Sequence, residues 1–303
     1  MPTLDSPPQR PLVGILWMLA AGVCFVLMTA LVKVIGGTMH PVQLAFLRYI
    51  LGLVFVLPVI RPLITTRFTR RQWSLFCIRG ALQSVAVMLW FFAMTQIPLA
   101  EVTAMNYLTP IYVTLGAVFL LGERLAMRRI TAIGFAFVGA LIILRPGFRE
   151  VSPGHLAMLG TTLLLGGAYL LAKVTVDEVR PALVLAQMSI WVAVFLAPFA
   201  LVVWQPFSPS DLGFVFLVAT MATAGHYCMT RALQAAPVAV TQPATFLQLV
   251  WSVALGALAF DEGIDPWVVA GGTLILASVS FISWREAALQ RRQITPVNLA
   301  PKL

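Results

Sequence analysis

GILWML at residues 14–19 returns as GHLAML at 154–159, and the number of membrane crossings between the two copies decides the fold. With the chain slid on itself by 140 residues, LVKV (31–34) meets LAKV (171–174) and Pro41 meets Pro181, while Val54, Phe55 and Pro58 meet Val194, Phe195 and Pro198. At a shift of 139 the match runs on through Ala93, Pro98, Ala100, Leu108 and Glu123, which align with Ala232, Pro237, Ala239, Leu247 and Glu262. Apolar composition accounts for recurring Leu and Val. It does not account for lysine, glutamate and proline recurring in register.

The chain is 60% hydrophobic and only 10% charged, with a mean hydropathy of +0.93; a soluble domain carries about a quarter charged residues. It is built for lipid. A crossing takes roughly 20 apolar residues, and segments of that kind lie at 12–35, 41–60, 74–96, 98–121, 128–145, 154–176, 182–203, 211–235, 238–260 and 265–284. Each repeat therefore holds five, and an odd number sends the second copy into the membrane from the opposite side. The expected fold is an all-α membrane protein, ten transmembrane helices built from two inverted five-helix repeats, an architecture that serves transport because one fold then makes two states of similar energy.

A cytoplasmic tail (1–11), a first repeat (12–147), a second repeat (154–284) and a second cytoplasmic tail (285–303) divide the chain. The first apolar run is too long for a cleaved signal h-region, so it reads as a retained span. The net charge of +9 is concentrated on one side: Arg10, Arg61, Arg67, Arg70, Arg71, Arg124, Arg128, Arg129, Arg180, Arg285, Arg291, Arg292 and Lys302 fall in segments that share a side with the termini, and only Arg145 and Arg149 fall opposite. That asymmetry places both termini in the cytoplasm. It makes membrane lipid, not nucleic acid, the partner of the basic charge. Cys24, Cys77 and Cys228 have no metal or redox spacing, and no cofactor is expected.

The chain resembles the ten-helix EamA type of the drug/metabolite transporter superfamily. The likeness is carried by FLRYILG (46–52), RGALQSVAVMLWFFAMTQIP (79–98), NYLTPIYVTLGAVFLLGERL (106–125) and GFAFVGALIILRPG (134–147), with a weaker second copy ending in FDEG (260–263). The resemblance implies a central substrate cavity in a bacterial inner membrane and a small-molecule substrate, with export the common direction. It covers amino acids, vitamins, nucleoside-like compounds, cofactors and metabolite-derived compounds; opine-like metallophores also qualify through Arg48 and Arg79, and import or exchange of a vitamin, nucleoside-like compound or cofactor such as S-adenosylmethionine or riboflavin stands as the alternative. The second copy departs from the pattern: Asp261 stands where the first has Gly122, and no proline corresponds to Pro110.

Polar residues inside the spans point to the cavity. The fourth span carries Thr103, Asn106, Tyr107, Pro110 and Thr114; the ninth carries Thr241, Pro243, Thr245, Gln248 and Ser252. Asn106 corresponds to Thr245 and Thr109 to Gln248. Both spans hold a proline, and paired interrupted helices are the best sequence pointer to a transporter's site; the plainer reading is that the prolines only kink and the hydroxyls bond their own backbone. The third span adds Arg79, Gln83 and Trp90 on one helical face, and the eighth adds Thr223, His226, Tyr227 and Arg231. Trp90 and Tyr227 read as cavity or as packing residues, and His226 as a proton site or a bonded core histidine. Arg48, about 10 Å below the outer end of its span at 1.5 Å per residue, has three open readings: substrate anchor, bond to carbonyls freed by a neighbouring kink, or snorkelling to headgroups. Arginine near the cavity points to a carboxylate-bearing substrate.

The acids fall at helix ends or in loops, and Glu101 lies about one turn into its span, so no carboxylate is expected near mid-membrane. Glu123 and Glu262 are repeat-equivalent and need cationic partners: Arg128 or Arg129 for the first, Arg145 or Arg149 for the second, in a structural or gating role. Lys33 and Lys173 are expected to snorkel. A membrane-embedded enzyme would need a nucleophile with a base, or metal ligands, at one depth; His40 and His155 read as loop residues, and no such set converges. A channel has no need of inverted repeats.

Overall fold

A computed structural model describes residues 10–121, 127–148, 150–176, 178–236 and 238–294. The helices are α1 (Pro11–Ile35), α2 (Pro41–Gly52), α3 (Ile60–Thr65), α4 (Arg70–Gln96), α5 (Leu99–Asn106), α6 (Thr109–Leu121), α7 (Met127–Leu144), α8 (Pro153–Val176), α9 (Pro181–Val202), α10 (Pro209–Ala235), α11 (Val238–Thr241), α12 (Phe246–Phe260) and α13 (Pro266–Ile294). Seven of them (α1, α4, α7, α8, α9, α10 and α13) are long and apolar enough to cross a membrane; Pro41–Leu57 and Phe246–Phe260 are shorter apolar segments. The fourth span is the pair α5 and α6. α13 runs on past its apolar window, Pro266–Arg285, to Ile294.

Successive crossings put alternate connections at opposite ends. The near end holds Arg10, residues 66–69, 178–180 and Ala236; the far end holds 36–40, 97–98, 145–148, 150–152, 203–208 and 261–265. Helices start where capping side chains meet the first free N–H groups. Thr69 and Gln72 form a reciprocal capping box on α4, as Ser208 and Asp211 do on α10, and His40 accepts the Val42 N–H ahead of α2. Proline at the first position of α1, α2, α9 and α10 costs nothing, because that N–H has no helical partner.

The two halves interlock rather than sit side by side. α1 packs on α10 and α4 on α8, which exchange first and third helices; α2 packs on α9 and α7 on α13. The contacts are reciprocal, as a two-fold relation requires. A Cβ on Gly139 would lie 2.7 Å from the Gly271 carbonyl and 2.8 Å from Ile275 Cγ1; one on Gly271 would lie 2.5 Å from the Gly139 carbonyl and 2.7 Å from Ile143 Cγ1. Gly14 meets Ala236, and its repeat equivalent Gly154 meets Gln96 and Ile97. Only hydrogen at these positions lets the backbones approach, the usual device where lipid supplies no hydrophobic drive between helices.

Candidate functional site

Both prolines interrupt their spans. Proline cannot donate to the carbonyl four residues back and its ring crowds that group: α5 stops at Asn106, Tyr107 and Leu108 make a turn, and α6 resumes with Pro110 at its second position. In the second repeat a 3₁₀ turn, Gln242–Thr245, separates α11 from α12. The interruptions meet. Tyr107 donates its hydroxyl to the Thr245 carbonyl at 2.8 Å, and Thr103 and Ser252 share a buried hydrogen bond of 2.6 Å. The two polar stripes therefore face each other, while Asn106 accepts from Thr109 at 3.4 Å.

A cavity of about 220 Å³ lies elsewhere, between α2 with the 3₁₀ turn Leu53–Val59, α9 and α10. Its wall includes Arg48, Tyr49, Met188, Ser189, Thr223 and His226. α9 contributes residues just past its near-end start, so the cavity runs from the near half to about mid-span, with Arg48 at its deep end. The Arg48 guanidinium lies 4.3 Å from the centroid of the Tyr49 ring and has no carboxylate partner among the described residues. None of the described lining residues is acidic. His226 stacks edge-on against Phe25 at 5.1 Å between centroids.

Of the other candidates, Arg79 and Gln83 are buried on α4, with Arg79 behind the wall residue Met188. Arg79 donates to the Val184 carbonyl and approaches Met188 Sδ, both at 3.3 Å. Gln83 Oε1 and Trp90 Nε1 are buried without a hydrogen-bond partner. Tyr227 is exposed on the outer face, edge-on to Trp17 and beneath Arg231. Thr245 and Gln248 lie at the start of α12, outside the cavity wall.

Polar contacts join the helix ends at the far end. Glu262 pairs with Lys33 and accepts the Leu99 N–H at 2.9 Å, while Lys33 also donates to the Ile97 carbonyl at 3.2 Å. Gln43 and Gln205 exchange two bonds of 2.9 Å, from the Gln43 amide to the Gln205 carbonyl and from the Gln205 N–H back. Two expectations are corrected here. Glu262 does not take Arg145, which pairs with Asp265, and Lys33 does not snorkel, because the largely but not fully buried Glu262 carboxylate is a better partner for its ammonium than distant headgroups. A third concerns His155: it is not a loop residue but the third residue of α8, buried, with Nε2 against Glu101 and Nδ1 accepting the Ser152 N–H at 3.1 Å. Because Nδ1 accepts that proton, Nε2 is the ring's donor to the Glu101 carboxylate. Glu123 lies outside the described residues, as do the side chains of Lys173 and Pro243.

The EamA-like transporter model matches the chain twice, over residues 12–145 and 152–284. This chain belongs to the EamA-like transporter family. It is a transporter of small metabolites, not an enzyme. Among relatives, a riboflavin transporter of Rhizobium johnstonii is 29% identical, over 96% of this chain and 97% of its own. An S-adenosylmethionine uptake transporter of Rickettsia prowazekii is 22% identical over 90% and 93%, and a pseudopaline exporter of Pseudomonas aeruginosa 25% identical over 89% and 95%. A solved crystal structure shares the fold with a TM-score of 0.59 at 17% identity, covering 90% of this chain and 98% of its own.

Sequence reasoning missed the cavity wall on α9, because Met188 and Ser189 lie in an apolar run without any polar stripe. It missed the buried Glu101–His155 pair as well. The Ser-x-x-His spacing at 152–155, which mimics a capping box with histidine in place of glutamate, was the available signal.

Proposed function

We propose that this family member is a secondary transporter of the bacterial inner membrane that exports a small carboxylate-bearing metabolite, of the amino-acid or opine-like metallophore class, by alternating access. One observation carries the reading: a guanidinium in a membrane cavity with no acidic residue on the described wall. Such a charge is costly in hydrocarbon, and a substrate carboxylate supplies the missing counter-charge through paired, charge-assisted hydrogen bonds. Arg48 anchors the substrate and His226 with Thr223 contacts it. The interrupted helices at Pro110 and Pro243 form the seam about which the halves move, and Glu262 holds the far end shut. The near end is the cytoplasmic one, with the tails 1–11 and 285–303 on that side of the two repeats 12–147 and 154–284.

A second reading, uptake or exchange of a vitamin or cofactor, is favoured by the riboflavin and S-adenosylmethionine names of the relatives. An untargeted comparison of extracellular and intracellular metabolites between a deletion strain and its complemented parent separates the two. Export predicts an anionic compound retained inside the deletion strain. Loss of an intracellular vitamin or cofactor that the medium supplies would overturn it in favour of uptake.

A further inference from the structure

Arg79 is a buried charge that a single anchored carboxylate leaves unused. Its side chain sits on α4, 4% exposed. One terminal nitrogen reaches the Val184 carbonyl, the other only the sulfur of Met188, and Nε has no acceptor. A thioether is a weak acceptor, so of five guanidinium donors one has a good partner. No carboxylate pairs with Arg79 among the described residues. Leaving a buried cation uncompensated is among the costlier arrangements in a protein, and in a membrane it marks a functional position.

The group that covers Arg79 is also cavity wall. Met188 touches the guanidinium on one side and lines the cavity beside Arg48 on the other. Methionine is unbranched, with three rotatable bonds, and repacks at little cost. Met188 therefore stands between Arg79 and the cavity. Arg48 and Met188 line one cavity whose described wall carries no acid, so the Arg79 guanidinium stands one side chain behind the wall that presents Arg48.

We propose that Arg79 is a second anion subsite uncovered by rotation of Met188, and that the transported compound is a dicarboxylate, one carboxylate held by Arg48 and the other by Arg79. The inference rests on the anchoring role of Arg48 and adds the second charge. It also makes Met188 a selectivity element: a monocarboxylate leaves it in place, and a dicarboxylate displaces it.

The test is thermal unfolding of the purified full chain in detergent, with dicarboxylates from malonate to adipate against monocarboxylates of the same carbon number at equal ionic strength. In the unmodified protein at least one dicarboxylate should raise the midpoint by about twice its monocarboxylate twin, because a second charge-assisted pair forms. Arg79→Gln should erase that difference and keep the monocarboxylate shift, while Arg48→Gln should lose both. Met188→Ala, which retains both arginines and covers the case in which Arg79→Gln fails to fold, should widen the difference. A dicarboxylate advantage that survives Arg79→Gln, or Met188→Ala without effect, would overturn the second subsite and leave the Arg48 anchor standing. If neither series shifts the unmodified protein, the carboxylate anchor falls and the second subsite with it.

Discussion

Replacing Glu262 with glutamine tests whether the far end is held by charge or merely by shape. Glutamine keeps the volume and an acceptor for the Leu99 N–H, but removes the charge facing Lys33. The Lys33 and Glu262 side chains are 21% and 11% exposed, so the pair lies between a surface ion pair, worth about 0.2–1 kcal/mol, and a fully buried one, whose rupture costs about 3–5 kcal/mol. A hydrogen bond to a charged group, about 1.5–3 kcal/mol, is the nearest guide, and a coupling of about 2 kcal/mol is expected on that scale. The assay is a double-mutant cycle with Lys33→Met, Glu262→Gln and both together, by equilibrium unfolding in mixed micelles. The double variant should be little worse than the worse single variant, because each single change already strands a partner. Additive losses, with coupling under about 0.5 kcal/mol, would refute the claim that this pair closes the far end.

Three further outcomes follow from the same geometry. Gly139→Ala places a methyl 2.7 Å from the Gly271 carbonyl and should cost about 1–3 kcal/mol as an overpacked contact; Gly134→Ala, with open space around it, should be near neutral in the same unfolding assay. At the near end, the Arg71 guanidinium and then the Gln72 amide hold the Glu178 carboxyl below the usual carboxylate range. The sign follows: the contact stabilises the fold above the ordinary carboxylate pKa and is lost as pH falls through the lowered value. An Arg71→Gln variant should therefore be less sensitive to acid over that window than the parent in a pH series of unfolding midpoints. A cysteine at the exposed Pro206 should react with an impermeant thiol reagent from the periplasm and one at the exposed Arg67 only after the cells are opened; the reverse pattern would invert the assigned topology.

The fold was legible because its determinants are local or periodic. Apolar runs mark the spans, the GILWML/GHLAML register marks the repeat, and Pro110 and Pro243 mark the broken helices. Reciprocal contacts such as Gly139 with Gly271 are the physical consequence of that repeat. The site was less legible because ion-pair choice depends on which helix ends become neighbours. Glu262 has Arg145 close to it in the connectivity of the far end, yet α1 delivers Lys33 more directly. Likewise, the polar stripes on the fourth and ninth spans were readable as stripes, but not as partners of each other through Tyr107 and Thr245. Met188 carries no polar signal at all; its place in the cavity comes from the packing of α9 on α2.

Arg48 carries the proposed anchoring of the substrate. Counterflow into proteoliposomes, using the anionic compound retained by the deletion strain, compares the unmodified protein with Arg48→Lys, which keeps the charge and loses the planar fork. The anchor predicts saturable, trans-stimulated flux whose KM rises in the variant while its unfolding midpoint stays near that of the parent. An unchanged KM would contradict it, and a midpoint that collapses with the substitution would make Arg48 a structural residue instead.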